Sequence, residues 1–103
     1  RIFKEPTSYS HLLALRFRYV KATAYAGDTI TSTGTVPTEG TTIAVDPSVI
    51  PYGSKVYIPE FDKVFTAEDC GSAIKGNRID IFMESEAKCN EWGVKNITIY
   101  MLK

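Results

Sequence analysis

The 103-residue sequence predicts a mainly β domain. Three observations carry that prediction. Short apolar runs alternate with polar residues at a period of two, proline and glycine interrupt them every few residues, and a single stretch near the C-terminus reads as a helix. Many short strands favour a closed or nearly closed barrel, because closure removes exposed strand edges; a β-sandwich satisfies the same pattern.

Residues 1–16 form an expected flank or linker, in which Tyr9, Leu12 and Leu13 fit one face of a short helical turn. From Phe17 the chain reads as strand, with Val20, Ala22 and Ala24 alternating against Lys21, Thr23 and Tyr25. Residues 27–42, rich in threonine and glycine, predict a long surface loop of the kind that often binds ligands. Strands are expected over 42–46, 54–59, 63–69 and 78–83, separated by Pro47, Pro51, Gly53, Pro59, Gly71 and Gly76. Residues 85–92 predict the helix, with Ser85 as N-cap, Glu86 in the first turn and Gly93 as terminator. A last strand over 96–102 places Ile97, Ile99 and Met101 on one face.

Length and charge narrow the function. The chain is long enough for one compact core and too short for two. Lysine plus arginine equal aspartate plus glutamate at 12 each, which gives no electrostatic case for nucleic acid or for an anionic membrane. A neutral polymer such as a glycan is compatible with that balance. No apolar run is long enough for a transmembrane helix. The chain starts at Arg1, as a processed or excised piece would, so any targeting segment lies outside this reading. One histidine, His11, gives a His-based metal centre or a Ser-His-Asp triad little to work with, and no metal or cofactor is expected. Cys70 and Cys89 allow a single disulfide at most, and the plainer reading is two unpaired, mostly buried thiols.

Three aspartates stand where strand formers belong: Asp46 after Ile43-Ala44-Val45, Asp69 after Ala67-Glu68, and Asp80 between Ile79 and Ile81. If Ile79, Ile81 and Met83 face the core, Asp80 and Phe82 face the other way. Asp69 and Asp80 are joined by a glycine-containing polar connection that can double back and bring both carboxyls to one rim. Neighbouring like charges would then raise one pKa, and a carboxyl protonated near neutral pH is suited to general-acid work on a glycosidic oxygen. Lys75 lies between them in sequence and reads either as a group that steadies the remaining charge or bonds a sugar, or as a solvated loop lysine. Asp46, before Pro47, fits a turn-shaping role better than a catalytic one.

The sequence resembles the 3D domain, a bacterial cell-wall family named for three aspartates. The likeness rests on Thr23-Ala24-Tyr25, Thr33-Gly34, Ile43-Ala44-Val45-Asp46-Pro47, Val56-Tyr57-Ile58-Pro59, Ala67-Glu68-Asp69, Ala73-Ile74-Lys75-Gly76-Asn77-Arg78-Ile79-Asp80-Ile81-Phe82 and Trp92-Gly93. The family is similar to the catalytic core of MltA-type lytic transglycosylases. That resemblance implies a six-stranded double-psi β-barrel with one or two short helices, spanning 17–103. It also implies cleavage of the MurNAc–GlcNAc β-1,4 bond of peptidoglycan to leave 1,6-anhydro-MurNAc ends, with Asp80 matching the catalytic aspartate, Asp69 its supporting aspartate and Asp46 the third. Tyr25, Thr31, Thr33, Lys75 and Asn77 are expected substrate contacts. An extracytoplasmic, secreted or wall-associated location and other wall-binding domains in a longer parent protein follow from the same resemblance. Asp69-Cys70-Gly71-Ser72 departs from the family's usual threonine and two glycines: Cys70 lacks a hydroxyl that would orient Asp69, and Ser72 adds a side chain. The alternative from another class is a non-catalytic wall-binding or wall-loosening module of the expansin type. A dimeric aspartic protease, suggested by the same four residues, is opposed by Asp80 within its strand.

Overall fold

A computed structural model describes residues 14–102. The helical turn expected around Tyr9, Leu12 and Leu13 lies outside the described residues. Six strands and one helix follow in the order β1 (Ala14–Tyr25), β2 (Thr42–Ala44), β3 (Lys55–Ile58), β4 (Lys63–Asp69), β5 (Arg78–Phe82), α1 (Glu86–Trp92) and β6 (Lys95–Leu102). The strands close into a barrel in the spatial order β1-β5-β2-β4-β3-β6. The sandwich is thereby excluded and the expected barrel is present, with one helix. β1 pairs with β5 and β2 with β4 in parallel, and the other pairings are antiparallel.

Alternation explains which residues fill it. Val20 and Ala22 of β1, Ile43 of β2, Val56 and Ile58 of β3, Phe65 and Ala67 of β4, Ile79 and Ile81 of β5, and Ile97 and Ile99 of β6 are buried in one cluster. β-branched residues dominate because they fit a pleated wall with little loss of rotamer freedom. β1 starts at Ala14, earlier than Phe17, because its first residues continue the antiparallel ladder to the end of β6, with Ala14 opposite Leu102.

The Ser85 hydroxyl accepts a hydrogen bond from the Lys88 amide at 3.2 Å, capping α1. Gly93, at φ 68°, ends the helix and donates its N–H to the Cys89 carbonyl. The helix is fastened to the barrel by Trp92, whose Nε1–H donates to the Ala22 carbonyl at 3.1 Å and whose ring stacks on Phe61 at 5.0 Å. The thiols of Cys70 and Cys89 are free, and only Cys89 is buried. Cys70 is exposed because it follows the last residue of β4, where the chain leaves the barrel wall.

Candidate functional site

The site is built on one row of paired residues. Thr23 of β1 lies opposite Asp80 of β5, Asp80 opposite Ala44 of β2, and Ala44 opposite Asp69 of β4. Directly paired residues share a sheet face, so the two carboxylates flank Ala44, two strand spacings or about 10 Å apart at the backbone. The row exists because of a bulge. Ile43 pairs with Ala67 but Ala44 pairs with Asp69, so Glu68 is the extra residue in β4. Without that slip Glu68 would stand opposite Ala44. Three contacts hold the bulge. The Glu68 carbonyl accepts the Thr33 hydroxyl at 2.8 Å and the Thr33 N–H at 3.3 Å, and its carboxylate accepts the Thr42 hydroxyl at 2.7 Å.

Asp69 is buried and its carboxylate is saturated. Oδ1 accepts the Ser32 N–H at 2.9 Å, the Ser32 hydroxyl at 2.7 Å and the Cys70 N–H at 2.9 Å, while Oδ2 accepts the Tyr25 hydroxyl at 2.9 Å. Burial alone would raise its pKa, but those donors outweigh burial and hold Asp69 below the usual carboxylate range. Tyr25 is pushed up, by burial first and then by its bond to Asp69. Its ring packs edge-on against Phe82, its partner across β1 and β5, at 5.5 Å.

Asp80 differs in every respect. It is half-buried, and Oδ1 accepts one hydrogen bond, from the Thr23 hydroxyl at 2.9 Å. Among the described residues nothing bonds to Oδ2. Burial raises the Asp80 pKa; Thr23 and the charge of Arg78 pull it down, and the charges of Asp69 and Asp28 push it further up. The expected like-charge effect of Asp69 is present in the expected direction, and burial is the larger cause. Two carboxyls whose surroundings drive their pKa values apart can divide into an acid and a fixed anion.

The other predicted residues separate by position. Asp46 shapes a turn: Oδ1 accepts the Ser48 N–H at 3.0 Å and hydroxyl at 2.7 Å, and Oδ2 accepts the Gly76 N–H at 2.9 Å. The Gly76 amide first, then Ser48, keep its pKa low. Thr31 is buried, and its hydroxyl bonds Thr35 at 2.6 Å and Thr33 at 3.2 Å, so it braces the loop from within. Lys75 is exposed and its charge lowers the pKa of Asp46 and Cys70. Asn77 is exposed, accepts the Arg18 guanidinium at 2.8 Å, and precedes β5 at the end away from Phe82. Of the five expected substrate contacts, only Tyr25 bonds to one of the two carboxylates.

Sequence reasoning missed Ser32, Thr23 as a partner of Asp80, and Tyr52. Ser32 supplies the hydroxyl that Cys70 lacks, and its oxygen lies 3.2 Å from the Cys70 sulfur. Hydrogen bonds from Ser32 and then Tyr52 lower the Cys70 pKa. Ser72 is exposed, so its side chain turns to solvent without crowding the loop. A groove of about 610 Å³ lies elsewhere, against α1, with Phe61, Phe82, Trp92 and Lys63 among its lining and neither Asp69 nor Asp80.

The closed six-stranded barrel is the barrel of the MltA-like fold. MltA from E. coli superposes with a TM-score of 0.59 at 20% identity, over 75% of this chain and 28% of that one. A structure described as the lytic transglycosylase LtgG of Burkholderia pseudomallei gives 0.57 at 30% identity, over 75% of this chain and 27% of that one. The chain belongs to the 3D domain family, whose profile matches residues 41–103. It is 52% identical over 60 residues to the cell wall-binding protein YocH of Bacillus subtilis (strain 168), covering 58% of this chain and 21% of that protein. It is also 48% identical over 60 residues to the putative cell wall shaping protein YabE of the same organism, covering 58% of this chain and 14% of that protein. The chain thus spans a minor part of each relative's length. Among the described residues no helix is long and apolar enough to cross a membrane.

Proposed function

We propose that this domain acts outside the cytoplasm as a peptidoglycan lytic transglycosylase, with Asp80 as its single acid and base. One observation carries the reading: Asp80 is half-buried, its pKa is raised, and its Oδ2 is left unbonded beside an aspartate held ionised by four hydrogen bonds. Protonated Asp80 donates from Oδ2 to the glycosidic oxygen between MurNAc and GlcNAc as that bond breaks. The ring carbon C1 gains oxocarbenium character, which the fixed charge of Asp69 favours. Asp80, now a carboxylate, accepts the proton of the C6 hydroxyl as its oxygen closes on C1. The product is a 1,6-anhydro end, and no water is consumed. Asp46, whose lone pairs are engaged in the turn and at Gly76, serves as a positioning residue for the loop between the two acids.

The likeness, at 30% identity, to a structure described as a lytic transglycosylase supports this chemistry. A relative named as a cell wall-binding protein favours a second reading, a wall-binding or wall-loosening module without cleavage. Incubation with purified peptidoglycan separates the two. Cleavage yields anhydro-muropeptides by mass spectrometry, and Asp80→Asn lowers their rate by about a thousandfold or more, at the strong end of general-acid effects. Retention on the wall with no anhydro product from the unmutated protein would establish the binding module instead.

A further inference from the structure

We propose that Thr23 is a positioning residue that gives the two oxygens of Asp80 different duties, keeping the transferable proton on Oδ2 through both halves of the cleavage. The proposal deepens the reading of Asp80 as acid and base, and it rests on that reading. A carboxyl has two chemically equal oxygens, so an unconstrained one presents its proton from either. Asp80 is constrained. Thr23 stands directly opposite it across β1 and β5, and the Thr23 hydroxyl lies 2.9 Å from Oδ1. Among the described residues nothing bonds to Oδ2.

The Thr23 hydroxyl carries one hydrogen and faces two acceptors, Oδ1 of Asp80 at 2.9 Å and the Ile79 carbonyl at 3.4 Å. When Asp80 is ionised the hydrogen goes to Oδ1, the shorter and charge-assisted bond. When Asp80 is protonated, the two placements of its proton differ. With the proton on Oδ2, Thr23 still donates to Oδ1 and nothing moves. With the proton on Oδ1, the Thr23 oxygen must accept it and swing its own hydrogen toward Ile79. A separation of 3.4 Å lies outside the usual O–H···O range of about 2.5–3.0 Å, so that second bond is poor. The first placement wins, and it leaves the acid proton on the unbonded oxygen. Threonine suits the task because branching at Cβ restricts its χ1 angle, and strand pairing fixes its backbone. The bond then serves the whole reaction. Oδ2 gives its proton to the glycosidic oxygen as the bond to C1 breaks, then takes the C6 hydroxyl proton as that oxygen closes on C1. Thr23 donates to Oδ1 throughout, so the returning proton lands where the next cycle needs it. The same bond favours the ionised form and draws the Asp80 pKa down against burial.

The test compares the full chain with Thr23→Val, which keeps the shape and deletes the hydroxyl, and Thr23→Ser, which keeps the hydroxyl. Release of anhydro-muropeptides from purified peptidoglycan is measured against pH, and the Asp80 carboxyl carbon is titrated by NMR without substrate. Thr23→Val is expected to move both the titration and the alkaline limb of the rate to higher pH. It is also expected to lower the plateau at low pH about tenfold or more, the scale of a misplaced reacting group. Thr23→Ser is expected to bring the limb and most of the plateau back. A rate that falls equally at every pH, with limb and titration unmoved, overturns the proposal and leaves Thr23 a packing residue. An unchanged plateau overturns it as well, because the proton would then find Oδ2 without the hydroxyl. Circular dichroism verifies folding, and Thr23→Ala is read in the same way if Thr23→Val does not fold. Failure of the underlying reading looks different: an unmutated chain that releases no anhydro product ends the role of Asp80 as acid, and this proposal with it.

Discussion

Asp69 and Asp80 are the same residue type in opposite electrostatic settings, and pH separates them. For Asp80 the folded pKa lies above the unfolded value of about 3.9. Below that value both states hold the proton and the group is neutral to stability. As pH rises through the window up to the folded pKa, the unfolded chain ionises first and the fold is weakened. Asp80→Asn removes that cost, so the variant is expected to melt at or above the wild-type Tm near neutral pH, with the difference vanishing below about pH 3. The same titration governs the proposed chemistry, because only protonated Asp80 donates. Cleavage rate should therefore fall as pH rises through the folded pKa, a limb readable in a kcat/KM profile. Asp69 has the reverse sign. Its folded pKa is lowered, so its contribution is present above about pH 3.9 and is lost as pH falls through the folded value. Tyr25→Phe keeps the ring on Phe82 and deletes one donor to Asp69, at an expected cost of about 1 kcal/mol in urea denaturation at neutral pH. A Tyr25→Phe variant as stable as wild type would mean that Ser32 and Cys70 alone suffice to hold Asp69.

Elements convert these residue effects into a site, and here sequence and structure part company in an instructive way. The strands and α1 were legible because core burial imposes a period of two on every wall, and because Ser85 and Gly93 carry cap signals at the helix ends. Asp80 was legible for the same reason, an acid at the outward phase of an apolar strand. The bulge at Glu68 was not: alternation through Phe65, Ala67 and Asp69 reads the same with or without a slip in pairing, which only the partner strand reveals. Ser32 was hidden by distance, since its bonds to Asp69 join a polar loop to a strand end far along the chain. Thr31 and Thr33, expected as sugar contacts, brace the loop and anchor the bulge, and so set Ser32 in place. Asp46 acts in a comparable way on the connection between the acids. Its bond to the Gly76 N–H, where φ is 66°, spans 30 positions of sequence and ties that connection to the β2 turn. Asp46→Ala is expected to speed amide hydrogen exchange at Gly76 and Ser48 while leaving exchange in β5 unchanged. Unchanged exchange at Gly76 would show that the connection is held by other contacts.

At the scale of the whole molecule the barrel and the family match do not coincide. The profile covers residues 41–103, whereas β1 lies entirely before it. β1 pairs with both β5 and β6, which makes it the strand that closes the ring. Remove it, and two strands regain open edges, the core loses Val20 and Ala22, and Trp92 loses the carbonyl to which its indole donates. The acidic row loses Thr23 from Asp80 and Tyr25 from Asp69 at the same stroke. A domain of this size has a total stability of about 5–15 kcal/mol. Two lost core side chains, two lost ladders and the lost indole hydrogen bond together exceed the lower part of that range. A fragment of residues 41–103 is therefore expected to show no cooperative thermal transition and to bind a hydrophobic dye, whereas residues 14–103 melt in one step. The closing strand then belongs to the folding unit as fully as the matched region does. Cooperative melting of the shorter fragment, with amide protection in β5 and β6, would reduce β1 to an accessory strand and leave Asp80 to be held by β2 alone.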